Sequence, residues 1–295
     1  SVPERNPSMP DQPRAPERLL HEDPVIHRRR WFLLGIMCLS LVMVVMSVAG
    51  LNVALPSLQR DLEATASELQ WIIDAYALVF AAFLLPAGAL GDRFGRKKAL
   101  IFGLLVFAAG SVVGGIGTGA TQIIAGRVIN GIGAAFVMPA TLSLLTTIFP
   151  PHERSKAIAM WAGFAGAGGA LGPIVSGALL ESYWWGSAFL VNVPVVAIVI
   201  TAVMVFSPTS RDPDATPLDP LGALLSLVGL GALVFGIIEG PERGWSDTAV
   251  NQIWGRIDTP EGNDNEPGPL VAAGLASAGS DVLITSRHVD EAQAA

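Results

Sequence analysis

The 295-residue sequence predicts an all-α, polytopic membrane protein with seven spanning segments. Composition is the first observation behind this: 51% of the residues are hydrophobic and 15% charged, against roughly 25% charged for an ordinary soluble domain. The second is where the charges are missing, since residues 31–59, 99–126, 157–180 and 182–210 carry none. The third is the length of these runs. About 20 apolar residues let a helix cross a bilayer, with every backbone amide satisfied inside its own helix. A soluble core supplies one or two such runs, not six or seven.

Residues 1–30 hold six prolines among Arg and Glu, with no apolar periodicity, and predict a disordered cytoplasmic tail. The run from Trp31 is too long for a signal peptide and has no clean small-residue cleavage site, so it reads as a retained first helix, 31–55. Further spans follow at 71–90, 99–118, 121–148, 157–180 and 187–206. A cytoplasmic linker, 207–220, leads to a seventh helix at 221–240. Four Gly-x-x-x-Gly spacings predict close helix contacts: Gly110/Gly114, Gly115/Gly119, Gly168/Gly172 and Gly236/Gly240. The single cysteine, Cys38, excludes an intramolecular disulfide and reads as a small apolar side chain. The four histidines fall in loops or tails, and no metal cluster is expected.

Orientation follows from the basic residues. With the amino terminus cytoplasmic, thirteen Lys and Arg fall on the inner face and two, Arg60 and Arg243, on the outer one. Residues 241–295 break the pattern and read as low-complexity sequence. From 251 onward there are seven acidic and two basic side chains, and the longest apolar stretch, 270–278, is too short to span.

Two ionisable residues lie within spans. Asp74 sits one turn into the second and Arg127 two turns into the fourth, depths at which charge is costly and generally lines a cavity or finds a partner. A desolvated carboxylate at Asp74 would attract cations or take up a proton; a solvated helix-end carboxylate is the plainer reading. Arg127 is either functional or a snorkelling or fixed structural pair. Between the second and third spans, Gly88-Ala-Leu-Gly-Asp92-Arg93-Phe-Gly95-Arg96-Lys97-Lys98 predicts a short, charge-latched turn, or positive-inside anchoring alone. The fifth span combines Gly168, Gly172, Pro173 and Gly177, a composition suited to bending or to tight packing.

These segments, in this order, resemble the major facilitator superfamily, and within it the fourteen-span drug:proton antiporters. Gly88–Lys98 is similar to the signature loop between helices two and three. Arg127-x-x-Asn130-Gly131-Ile-Gly133 resembles the fourth-helix motif, and Gly168-Gly-Ala-Leu-Gly172-Pro173-Ile-Val-Ser-Gly177 the fifth-helix antiporter motif. Asn52-Val-Ala-Leu-Pro56 resembles the end of helix one, and Trp71-Ile-Ile-Asp74-Ala-Tyr76 the start of helix two. Tyr183–Phe189 and Asn192-Val-Pro194 resemble helix six of antiseptic-resistance exporters. The resemblance implies an amino-terminal six-helix bundle at 31–206 and no enzymatic activity. It also implies alternating access, in which lipophilic cations such as quaternary ammonium compounds and dyes leave the cell as protons enter.

In that scheme Asp74 binds the cation and Arg127 responds to protonation, with Ser47, Asn52, Tyr76 and Asn130 around them. Gly88, Asp92, Arg93, Gly95 and Arg96 control the cytoplasmic gate, and the glycine–proline helix seals and flexes. Two positions depart from the family pattern: Ser47 stands where a helix-one aspartate is usual, and Asn130 where glutamine is usual. Without a Walker loop or dinucleotide fingerprint, no cofactor is expected and the proton gradient is the energy source. Expected partners are cationic drugs, protons and lipid in the cell membrane, with no nucleic acid, and the oligomeric state stays open. The break near residue 250 predicts a truncated first half of an exporter. The alternative is a non-transporting fragment that at most binds a full-length relative.

Overall fold

The computed structural model describes residues 23–208 and 220–243, with the side chains of the last segment described over 221–235. Residues 1–22, 209–219 and 244–295, which include most of the tails and linker read from the sequence, lie outside the described residues, as do the contacts of the expected Gly236/Gly240 pair.

Among the described residues eight helices run in order: α1 (Pro24–Leu62), α2 (Ala66–Phe94), α3 (Arg96–Gly115), α4 (Ala120–Ile148), α5 (Pro151–Ser182), α6 (Ser187–Leu190), α7 (Asn192–Phe206) and α8 (Pro220–Arg243). Six spans in the described residues are long and apolar enough to cross a membrane, with Ser187–Phe206 counting as one. The apolar stretch described in α8, Leu221–Phe235, is shorter. The fold is thus all-α and polytopic, six long apolar helices followed by a shorter seventh.

The helices outrun the apolar spans where a cap is available. α1 begins at Pro24 rather than residue 31, because Asp23 Oδ1 accepts from the N–H groups of Val25 (2.8 Å) and Ile26 (3.4 Å) and proline suits the first helical position. Residues 24–30, assigned to the tail by composition, are therefore helical. α2 starts at a reciprocal capping box: Glu68 N–H donates to Thr65 Oγ1 (3.3 Å) and Thr65 N–H to Glu68 Oε2 (2.8 Å). Between α2 and α3 stands one residue, Gly95, at φ 114°, a conformation L side chains rarely adopt.

Glycine sets the helix contacts. A Cβ on Gly133 would lie 2.5 Å from Phe107 N, one on Gly126 2.6 Å from Gly114 N, and one on Gly110 2.6 Å from Asn130 N, so α3 and α4 touch backbone to backbone. α5 meets α1 the same way, with Gly172 facing Met46 O at 2.7 Å and Gly168 facing Val42 O at 3.0 Å. The predicted Gly110/Gly114 and Gly168/Gly172 pairs are therefore helix seams. In the third pair, Gly115 packs on Leu190 while a Cβ on Gly119 would meet nothing within 4 Å. α8 lies on α2: Trp71 and Phe235 rings are 6.1 Å apart, and Gly231 faces Ala82 at 3.5 Å. The outer side of α5 stays open, with Ile174 66% exposed and no atom within 4 Å of a Cβ on Gly163, Gly166, Gly169 or Gly177.

Candidate functional site

The site is built where α4 crosses α2. Gly131 has no Cβ, and one placed there would sit 2.8 Å from Tyr76 O, so the two helices close up at this level. One turn earlier on α4, Arg127 extends into the seam and is fully buried. Its Nε donates to the Ile72 carbonyl at 3.0 Å. Its guanidinium lies over the Tyr76 ring, 4.4 Å from the centroid, a cation–π contact that a desolvated setting strengthens. Tyr76 in turn stacks parallel to Phe80, with centroids 6.0 Å apart. Among the described residues Arg127 has no carboxylate partner, and its Nη1 and Nη2 have no protein acceptor. A carbonyl and an aromatic face thus hold the charge in place without neutralising it.

Asp74 belongs to the same helix as Ile72 and Tyr76 but not to the same face. Two residues turn a helix by about 200°, which puts the half-buried Asp74 on the side of α2 away from Arg127. That side adjoins the Trp71–Ala82 face covered by α8. The structure therefore sets a buried cation and an acid on opposite sides of one helix.

The other expected coupling residues lie apart. Ser47 is 9% exposed within α1, and Asn52 is exposed farther along the same helix. The hydrogen bond Arg127 makes goes to α2, not to either of them. Asn130 is drawn into the α3–α4 seam, where its Nδ2 donates to Phe107 O (2.7 Å) and Ser111 Oγ (3.1 Å). Tyr76 is the residue from that set that meets Arg127.

At the basic end of the bundle, Asp92 Oδ1 accepts from Arg96 Nε (2.8 Å) and from Ser143 Oγ of α4 (2.9 Å). The turn is latched both to itself and to α4. Arg93 lies over the Phe94 ring at 5.8 Å, and Gly88 faces Pro139 at 3.7 Å. Of the fifth-helix motif, Gly168 and Gly172 face α1, whereas Pro173 is exposed and Gly177 meets no neighbour.

Sequence reasoning missed three features of this end. Ser143 completes the Asp92 latch. Lys97 Nζ donates to the carbonyls of Met204 (2.9 Å) and Ser207 (2.7 Å), where the carboxyl end of α7 leaves acceptors free. Arg30 grips Glu153 with two bonds, Nε–Oε2 at 2.7 Å and Nη2–Oε1 at 3.0 Å, tying α1 to α5.

The sequence profile of the Major Facilitator Superfamily matches residues 37–256. The multidrug efflux pump LfrA of Mycolicibacterium smegmatis is 37% identical over 223 residues, covering 75% of this chain and 44% of that protein. A methylenomycin A resistance protein of Bacillus subtilis is 37% identical over 218 residues, 73% of this chain and 46% of the relative. The methyl viologen resistance protein SmvA of Salmonella typhimurium is 38% identical over 208 residues, with 70% and 42% coverage. The chain spans less than half the length of these relatives. In fold it is similar to a crystal structure of the peptide transporter POT in complex with sulfate, at a TM-score of 0.56 and 16% identity over 75% of this chain and 48% of that one.

Proposed function

The chain belongs to the major facilitator superfamily, and from that membership we propose that it serves in proton-driven export of lipophilic cations. The observation carrying the proposal is the arrangement around α2, with a buried, uncompensated Arg127 on one face and a half-buried Asp74 on the other. A fixed positive charge disfavours cations at the α2–α4 seam, so a cationic substrate and a proton both find their acceptor at Asp74. Competition of the two for one carboxylate is the simplest physical basis for exchange: loading the drug releases the proton, and loading the proton releases the drug. Arg127, held by Ile72 O and Tyr76, then sets the local field that Asp74 feels through the width of one helix.

Relatives whose names record multidrug efflux and methyl viologen resistance support this substrate class. In this reading the amino terminus is cytoplasmic, the Asp92 latch lies at the inner gate, and the described helices form one of the two bundles that rock during alternating access. Ser47, which cannot ionise, leaves the exchange to Asp74.

The test is efflux of a fluorescent lipophilic cation from vesicles containing the purified chain and an imposed proton gradient. Gradient-dependent movement is expected, abolished by Asp74→Asn and retained in a control such as Arg60→Gln, at an exposed position outside the coupling set. No movement by the folded chain refutes transport by this chain; movement unaffected by Asp74→Asn refutes the role of Asp74.

A further inference from the structure

One surface of the basic end lies outside the transport scheme and is shaped for a ligand of its own. Val25, Arg28, Phe32, Gly35 and Leu39 recur at three- and four-residue intervals and form a single stripe of α1, every member exposed. The stripe ends at Leu39, since Ser40, Leu41, Val42, Met43 and Val44 are all buried, and exposure on α1 resumes only at Asn52. Within the stripe Gly35 forms a notch, where a Cβ would meet nothing within 4 Å. The last turn of α7 borders it: Phe206 meets Phe32 edge-on at 5.0 Å, and both rings are exposed, at 38% and 53%.

Charge crowns the notch. The Arg29 guanidinium lies over the Phe206 ring at 5.8 Å, and Arg28 is exposed beside it. The neighbouring cations are otherwise engaged, Arg30 with Glu153 and Lys97 with the carbonyls of Met204 and Ser207. Arg28 and Arg29 have no acidic partner among the described residues. Two unneutralised guanidinium groups thus stand at the end of an apolar furrow that runs along the helix axis.

We propose that the furrow between the amino-terminal turns of α1 and the last turn of α7 binds an anionic phospholipid, its phosphate held by Arg28 and Arg29 and an acyl chain lying along Phe32, Gly35 and Leu39. Charge complementarity selects this occupant. A zwitterionic lipid brings its own cation to the two arginines. A soluble acidic partner has no use for an apolar furrow at chain depth. The site stands whether or not the chain transports.

The test reconstitutes the full chain in phosphatidylcholine bilayers and compares protein-bound fractions of spin-labelled phosphatidylglycerol and spin-labelled phosphatidylcholine. The native chain should prefer phosphatidylglycerol, and Arg28→Gln with Arg29→Gln should cut the preference by roughly fivefold per charge. Arg28→Lys with Arg29→Lys should keep it, as should Arg60→Gln at the far end of α1. Gly35→Phe, which leaves the charges in place and fills the notch, should also weaken retention, and it decides the matter if the double glutamine variant does not fold. No preference in the native chain, or an unchanged preference in the glutamine and Gly35→Phe variants, overturns the proposal.

Discussion

Replacing Gly133 by alanine tests whether backbone contact holds α3 against α4. The added Cβ would stand 2.5 Å from Phe107 N and 2.7 Å from Gly103 O, both backbone atoms that no side-chain rotation can clear. Ordinary contact begins near 3.4 Å, so the helices must part locally by about 0.9 Å. Overpacking of this kind costs about 1–3 kcal/mol. Parting also stretches the two bonds of the Asn130 amide to Phe107 O and Ser111 Oγ, each worth about 1 kcal/mol. Against this, alanine is the better helix former by about 1 kcal/mol. The net loss is about 2 kcal/mol, which lowers the unfolding midpoint by about 4–8 °C on the scale of soluble domains. Tryptophan fluorescence during heating in detergent measures it. Gly166→Ala is the matched control, since its Cβ meets nothing within 4 Å and leaves only the helix-propensity gain. A neutral Gly133→Ala, or a Gly166→Ala equally damaging, refutes the account of the seam.

Two further outcomes follow from the basic end. Arg30→Glu and Glu153→Arg should each lower the unfolding midpoint, and combining them should recover part of the loss, because the exchanged pair can re-form across α1 and α5; a strictly additive double variant argues against the pairing. Lys97→Met removes both hydrogen bonds that Nζ donates at the end of α7, so amide exchange over residues 203–207 should quicken several-fold, while exchange in α4 stays unchanged.

What was legible in the sequence was what each segment carries within itself. Long apolar runs, four of them free of charge and two carrying a single ionisable residue, located all six long helices, because crossing lipid requires length and apolarity whatever the neighbours are. Gly168/Gly172 announced a seam because two missing side chains one turn apart make a flat face. Their partner, α1, was not legible, since the spacing records the surface and not what meets it. The helix ends were blurred for a related reason. Asp23 caps α1 through two hydrogen bonds beyond the apolar run, and hydropathy does not register a cap. At the site, burial of Arg127 was foreseeable, but its seat on Ile72 O and Tyr76 required knowing how α2 and α4 rotate against each other. The same rotation sends Asn130 into the α3 seam although it stands three residues from Arg127 in the same motif. Lys97 with Ser207, and Arg30 with Glu153, join residues more than a hundred positions apart, and no local pattern reaches that far.

Gly95 has a mechanical consequence. A single residue closes α2 and opens α3, so the joint has almost no slack, and a tilt of α2 cannot be absorbed by a slackening loop. It passes into α3, which is riveted to α4 by backbone contact, and α4 is itself pressed against α2 at Gly131. These three helices therefore form a stiff triangular truss. α1 and α5, clipped to each other, contact the truss more sparsely, α1 chiefly through α4. The compliance of the bundle is then concentrated between truss and pair, and a force applied at the α2–α3 corner is delivered along α4 to the level of Arg127 without being spent on the way.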